Sequence, residues 1–356
     1  MPNNKPLYQQ VLEALERAIE VGEWKVGERL PGELQLAERF GVSYMTVRHA
    51  IQHLDSSGLV RRIRGKGVFV ADPPEDRRTE PLALLLPQEW YSMDPFYFPL
   101  IVKGFQAEAT LLGRRTVLAD QSDRPNRYAG LISQKVAAVA CVLLGQPDVQ
   151  GMHQLLDQGV PVVAINKHPG ARRIPTVAPD NFGGSYRATR YLIELGHRDL
   201  LFLAGPRDSI DAQERRKGFQ EAVRRHGAAG VRHRILEGGF LEESGLERGR
   251  LLARRAQAPT AVVSASDVSA IGFIRALAEA GLRVPSDVSV FGFGDFRISP
   301  YLVPSLSTVR IDLEQLGRRA VQLMRALLER TQPESVTIDC PLILRESIGP
   351  PRRQGA

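Results

Sequence analysis

Apolar residues fall at helical spacing through the opening stretch and gather into short strand-like runs further on. Tyr8, Val11, Leu12, Leu15, Ala18 and Ile19 recur three and four apart, one buried helical face, and Gly22 ends that helix. Pro31 and Gly32 open a second helix whose buried side reads as Leu34, Leu36, Ala37 and Phe40, with Gly41 at a tight turn. Ser43 is placed to cap a third helix with Val47, Ala50, Ile51 and Leu54 inward, so that Tyr44, Arg48 and Gln52 face outward. Leu59 to Arg64 and Val68 to Val70 then read as two strands joined through Gly65, Lys66 and Gly67. Residues 72–81 are polar with three prolines, which predicts a linker that holds no regular helix.

From residue 82 the pattern becomes strand, helix, strand. Strand runs are expected at 82–86, 116–119, 137–144 and 160–165, and again at 200–204, 234–237, 261–264 and 288–292. Helices are expected near 98–112, 127–135, 149–158, 184–195, 215–226, 243–255 and 267–280. Such alternation predicts parallel sheets with helices on both faces. The tetrapeptide Lys-Gly-Phe-Gln occurs at 103–106 and at 217–220, each time after the first strand of a series. With the matching strand order it points to two similar lobes and a cleft at the carboxyl ends of their strands.

Composition adds bounds. The 356 residues are 43% hydrophobic and 24% charged, an ordinary globular balance with room for two or three domains. No apolar run is long enough for a membrane span, and the opening Met-Pro-Asn-Asn-Lys-Pro has no apolar core like that of a secretory leader. Cys141 and Cys340 are far apart and read as reduced thiols in a cytoplasmic protein. The net charge of +7 favours anionic partners only weakly, but its distribution says more. Residues 43–70 carry Arg48, Arg61, Arg62, Arg64 and Lys66 against the single acid Asp55. The phosphate-cradling GxxxxGK[ST] loop, GxGxxG after a strand, HExxH, CxxC and the GxSxG elbow are all missing. The chain is therefore expected to be no enzyme, with no catalytic residues, no metal and no cofactor.

Pro6-Leu7-Tyr8, Leu30-Pro31, Glu33, Leu36-Ala37, Phe40 to Ser43, Met45 to Arg48, Gly58-Leu59 and Gly65-Lys66-Gly67 together resemble the GntR family of bacterial transcription regulators. The resemblance implies a winged helix-turn-helix that puts its third helix in the major groove of DNA. It assigns Ser43, Tyr44, Met45, Thr46 and Arg48 to the groove-facing end, with Arg48 suited to a bidentate contact to guanine or phosphate. Arg61, Arg62, Arg64 and Lys66 would grip the DNA backbone or the minor groove. Leu34 and Tyr44 depart from the family, which usually has arginine at both positions. Tyr44 is open to stacking, to a thymine methyl or to a phosphate.

The following region resembles the lactose- and galactose-repressor family, whose sensor is similar to a periplasmic sugar-binding protein. The resemblance rests on Pro95-Phe96-Tyr97, Val160 to Val163, Asp180-Asn181, Leu195 to Arg198, Arg215 with Gly218-Phe219, Ser266-Asp267, Gly281 through Phe293, and Pro304 through Val309. By that resemblance Phe96 and Tyr97 stack on the apolar face of a pyranose or a base, Arg215 forks to hydroxyls or an anion, and Asp267 accepts sugar hydroxyl protons. Asp120, Asn166 and Lys167 end strands and are expected to line the cleft. Gly294 stands where the family often has aspartate, with Asp295 next to it as the remaining carboxylate.

The combination resembles the arabinose-repressor-type regulators. The expected fold class is α/β: a small winged helix-turn-helix at 1–71, a linker at 72–81, and a two-lobed body of doubly wound parallel sheets at 82–348. Lobe 1 is expected at 82–178 with 309–333, and lobe 2 at 179–300 with 335–348. The function implied is a cytoplasmic, homodimeric repressor binding double-stranded operator DNA and released by a small sugar. A nucleobase or other metabolite as effector remains the alternative, as does a solute-binding module that does not act on DNA.

Overall fold

The computed structural model describes residues 6–20, 22–56, 58–63, 65–71, 80–87, 96–120, 127–143, 149–171, 174–227, 230–253 and 258–352. The head is α1 (Leu7–Glu20), α2 (Glu33–Phe40), α3 (Tyr44–Ser56) and a hairpin of β1 (Val60–Ile63) with β2 (Gly67–Val70). Val11, Leu15 and Ile19 of α1 share one buried cluster with Leu36, Val47, Ile51, Leu54, Val60, Val68, Trp24 and Leu30. Gly41 turns α2 into α3 at φ 63°, a left-handed conformation that strains any residue with a Cβ. Residues 27–30 run along the hairpin as a third chain. Arg29 bridges Phe69, and the Leu30 N–H donates to the Val68 carbonyl at 2.8 Å.

One expectation for the head is corrected. Leu34 does not share the buried side of α2; it is 68% exposed. Leu36 and Ala37 define the inward face, and position 34 points about 200° around the helix from position 36.

Among the described residues the body has two six-stranded sheets. The first contains β3 (Leu82–Leu86), β4 (Thr116–Asp120), β5 (Ala138–Val142), β6 (Val162–Ile165), β7 (Thr176–Pro179) and β13 (Val336–Ile338). The second contains β8 (Asp199–Leu203), β9 (Arg232–Leu236), β10 (Ala261–Ser264), β11 (Ser289–Gly294), β12 (Ser307–Arg310) and β14 (Leu342–Ile343). Their orders are β13-β7-β6-β5-β3-β4 and β14-β12-β11-β10-β8-β9. All pairings are parallel except that of β12 with β14. Every residue of β3, β5 and β6 is buried, as a sheet covered on both faces requires.

Helices α4 (Phe98–Leu111), α5 (Arg127–Ser133) and α6 (Val149–Asp157) alternate with the first strands. Helices α7 (Asn181–Glu194), α8 (Ile210–His226), α9 (Glu242–Ala253) and α10 (Asp267–Glu279) serve the second sheet. Helix α11 (Leu313–Leu328) returns to the first lobe and packs on α4. Those two helices approach so closely that a Cβ on Gly104 would overlap the Glu314 carbonyl oxygen.

The chain passes between lobes three times: after β7, after β12 and after β13. The expected assignment of all of 335–348 to lobe 2 is corrected here. Strand β13 pairs with β7 in the first sheet, and the Asp180 N–H donates to the Ile338 carbonyl at 2.8 Å, which occupies an edge that would otherwise be bare. Of the expected linker, residues 72–79 lie outside the described residues.

Candidate effector cavity and nucleic-acid interface

A cavity of about 570 Å³ opens between the lobes, a size suited to a small ligand. Tyr97 and Phe98 line it from the first lobe. Asp211, Arg215, Phe240, Ser266, Phe293 and Phe296 line it from the second, and Ile311 lies on a crossover. Glu243 and Glu247, four apart on α9, sit at its exposed rim.

The polar wall is one network. Arg215, only 5% exposed on α8, donates from Nε to Asn181 Oδ1 at 2.7 Å and from Nη1 to the Ala265 carbonyl at 2.6 Å. Asn181 in turn donates from Nδ2 to Asp211 Oδ1 at 2.8 Å. The guanidinium carbon lies 4.1 Å from the Phe293 ring centroid and 5.5 Å from that of Phe240. Burial pushes the Asp211 carboxyl up, offset by the Arg215 charge and the Asn181 hydrogen bond. Burial likewise pulls Arg215 down, offset by Asp211. An Asn relay between a buried cation and a buried anion satisfies both without direct pairing.

Across the cleft, the Tyr97 hydroxyl accepts from Asn166 Nδ2 at 3.0 Å and lies 3.2 Å from its Oδ1. Asn166 is fully buried at the end of β6, at φ 73°. Lys167 follows it, exposed, with its charge felt at Asp211 in the opposite lobe. Phe96 stacks on Phe296 with centroids 5.8 Å apart, a contact between lobes. Of the expected residues, Tyr97 and Arg215 line the cavity itself, while Phe96 and Asn166 touch its lining through Phe296 and Tyr97. Asp120 ends β4 at the carboxyl edge of the sheet, and only its backbone is described.

The two remaining carboxylates are placed elsewhere. Asp267 is fully buried beneath the cavity wall. Its Oδ2 accepts from Ser299 Oγ at 2.6 Å and from the Phe296 N–H at 3.1 Å, and its Oδ1 from Thr308 Oγ1 at 2.6 Å. It braces the loop that carries Phe296, and the cavity is lined by its neighbour Ser266. Asp295 pairs with Arg310 at 2.7 Å and Arg345 at 2.6 Å, facing a groove beside Leu100 and Asp312. Sequence reasoning missed Asn181 and Asp211 as wall residues and Phe240, Phe293 and Phe296 as lining. Phe293 and Asn181 stood inside recognised motifs, whereas Phe240 lies in a loop without periodicity.

On the head, Ser43 Oγ accepts from the Thr46 N–H at 3.2 Å and lies 2.8 Å from Thr46 Oγ1, which caps α3. Tyr44, Met45 and Arg48 are exposed on the same leading end. Arg61, Arg62 and Lys66 are exposed on the hairpin, and Arg62 reaches Glu33 at 2.9 Å. Arg64 lies outside the described residues. Arg29, not anticipated from sequence, joins Leu34, Tyr44 and Arg62 along a groove between the start of α2 and the hairpin.

Two family models match the chain. Residues 7–70 match the bacterial regulatory proteins of the gntR family, and residues 189–348 match the periplasmic binding protein-like domain. The HTH-type transcriptional regulator CelR of Thermobifida fusca is 32% identical over 283 residues, covering 76% of this chain and 82% of that protein. The arabinose metabolism transcriptional repressor of Geobacillus stearothermophilus is 26% identical over 345 residues, 93% of each chain. A solved complex of the regulator CelR with cellobiose superposes with a TM-score of 0.68 at 28% identity, covering 89% of this chain and all of that one. The chain belongs to the ligand-responsive, DNA-binding transcription regulators that join a gntR-type helix-turn-helix head to a periplasmic-binding-protein-like body.

Proposed function

We propose that this regulator is a homodimeric repressor whose operator grip is released by a small sugar in the interlobe cavity. The observation that carries the reading is the construction of the cavity from both lobes, with Tyr97 and Phe98 on one side and Arg215, Phe293 and Phe296 on the other. A ligand touching both walls binds the closed arrangement better than the open one, so occupancy and lobe geometry are linked. Aromatic walls suit the apolar face of a pyranose, and Arg215 and Asp211 at the back suit its hydroxyls. The sugar bound to the similar CelR supports that class. The same aromatic walls would also accept a flat nucleobase, the second reading. On the head, Ser43, Tyr44, Met45, Thr46 and Arg48 would meet base edges while Arg61, Arg62, Arg64 and Lys66 hold phosphates. The protein acts on cytoplasmic DNA and carries no catalytic step in this reading.

The test is fluorescence anisotropy of the full-length protein on DNA from upstream of its own coding sequence. Mono- and disaccharides and nucleobases are titrated in turn. A saturable loss of DNA affinity with one sugar is expected. Release by a base alone selects the second reading, and an affinity that no compound changes overturns the effector-controlled repressor.

A further inference from the structure

Leu34, Tyr44 and Met45 are large apolar side chains left in the open at the leading ends of α2 and α3. They are 68%, 39% and 66% exposed. Leu34 and Tyr44 line one groove together with the cations Arg29 and Arg62. Arg48, Arg61 and Lys66 are exposed on the adjoining α3 and hairpin. Apolar surface of this kind, ringed by positive charge, fits a polyanion that offers apolar spots of its own. Within the major groove the bases present hydrogen-bond donors, acceptors and one apolar group, the thymine 5-methyl. An apolar side chain pressed on any other base edge strips water from polar atoms without replacing its hydrogen bonds. Cytosine, which a carboxylate would read by accepting from its amino group, finds only Glu33 among the lining residues, and Glu33 is held by Arg62 at 2.9 Å.

We infer that each operator half-site is read in part through thymine methyl groups, which Leu34 and Tyr44 cover, with Met45 beside them. This rests on the proposal that the head reads duplex DNA in the major groove. It assigns to Leu34, exposed at the start of α2, a role in specificity.

The experiment starts by selecting a preferred site for the full-length protein from a random duplex pool. Each thymine of that site is then replaced singly by deoxyuridine, which deletes the methyl and nothing else. At one or more thymines per half-site the affinity is expected to fall about fourfold, the value of one buried methyl-sized group. That loss is expected to disappear in Leu34→Ala or Tyr44→Ala, whichever side chain covers the methyl, and to persist in Tyr44→Phe. Both positions are exposed, so thermal melts of the variants should match the parent. A preferred site that tolerates deoxyuridine at every thymine overturns the methyl reading and leaves DNA reading by the head intact. Failure to select any preferred site removes both.

Discussion

Replacing Asp267 tests whether this carboxylate serves the ligand or the fold. It is fully buried and accepts hydrogen bonds from Ser299, Thr308 and the Phe296 N–H. Asp267→Ala strands three donors in a closed site. Each stranded donor costs about 1–3 kcal/mol, and partial relaxation brings the expected total to about 3–5 kcal/mol. At about 2–4 °C per kcal/mol for a domain of this size, the melting temperature should drop by roughly 10 °C. Asp267→Asn keeps an acceptor toward Ser299 and Phe296 and should cost only about 1 kcal/mol.

The same pair of proteins gives a pH signature. Burial, the largest cause, pushes the Asp267 carboxyl above its ordinary value of 3.8, and the three hydrogen bonds only offset it. A raised folded-state value means that the folded protein holds this proton more tightly than the unfolded chain. The resulting stability is fully present below the unfolded value and is lost as pH rises through the folded one. The advantage of the parent over Asp267→Asn should therefore shrink in urea melts as pH rises above the ordinary carboxyl value of 3.8. An Asp267→Ala protein that melts within about 2 °C of the parent yet ignores its effector would refute the bracing role and put the carboxylate back in the cleft.

Three further outcomes are expected. Arg48→Ala should weaken operator binding by about 1–3 kcal/mol in anisotropy titrations, and an unchanged affinity removes it from the reading end. Arg215→Leu strands the Ala265 carbonyl and Asn181 and leaves Asp211 without its nearby cation, so it should cost about 3–5 kcal/mol in urea melts and abolish the effector response. Gly104→Ala drives a methyl into the Glu314 carbonyl and should lower stability by about 2 kcal/mol or more, whereas a neutral melt would show that α4 and α11 can separate freely.

What the sequence revealed and what it hid follow from how far each signal reaches. The helix periods of the head and the apolar runs of β3, β5 and β10 are local, and both are where the pattern put them. Leu34 broke the pattern because one apolar residue in a short helix cannot declare its face; the position of Leu36 decides it. Strand β13 has three residues and a half-polar pattern, so only its partner β7 identifies it. For the cleft, motif resemblance pointed to Phe96, Tyr97 and Arg215, and strand ends pointed to Asn166 and Lys167; of these, Tyr97 and Arg215 line the cavity. It did not show which way a carboxylate turns. Asp267 and Asp295 have the right chemistry at the right strand ends, but Ser299, Thr308, Arg310 and Arg345 arrive from more distant segments and claim them. The charge balance of a cleft is set by such long-range partners, which no spacing rule encodes.

The route from cavity to head is constrained by connectivity. The chain leaves the head and enters the body at the amino end of β3, whereas the cavity lies at the carboxyl ends of the strands. The five residues of β3 alone put about 17 Å between the two. An effector in the proposed cavity would therefore bind at the opposite strand ends from the point where the head is attached, and its influence is expected to pass as movement of a whole lobe. The crossovers are built for that. Arg187 of α7 donates to Asp339 at 2.9 Å and to the Cys340 carbonyl at 2.9 Å, and pairs with Asp180 at 3.2 Å. Two of the three interlobe passages are therefore held by one side chain of the second lobe. A pivot tied at one end lets the lobes rotate without losing their register. In the proposed dimer the first lobes carry the linkers, and half-sites one helical turn apart demand about 34 Å between the heads. A few degrees of rotation changes that separation, and the 1–3 kcal/mol or so typical of coupling between sites is enough to loosen the grip about 5- to 150-fold.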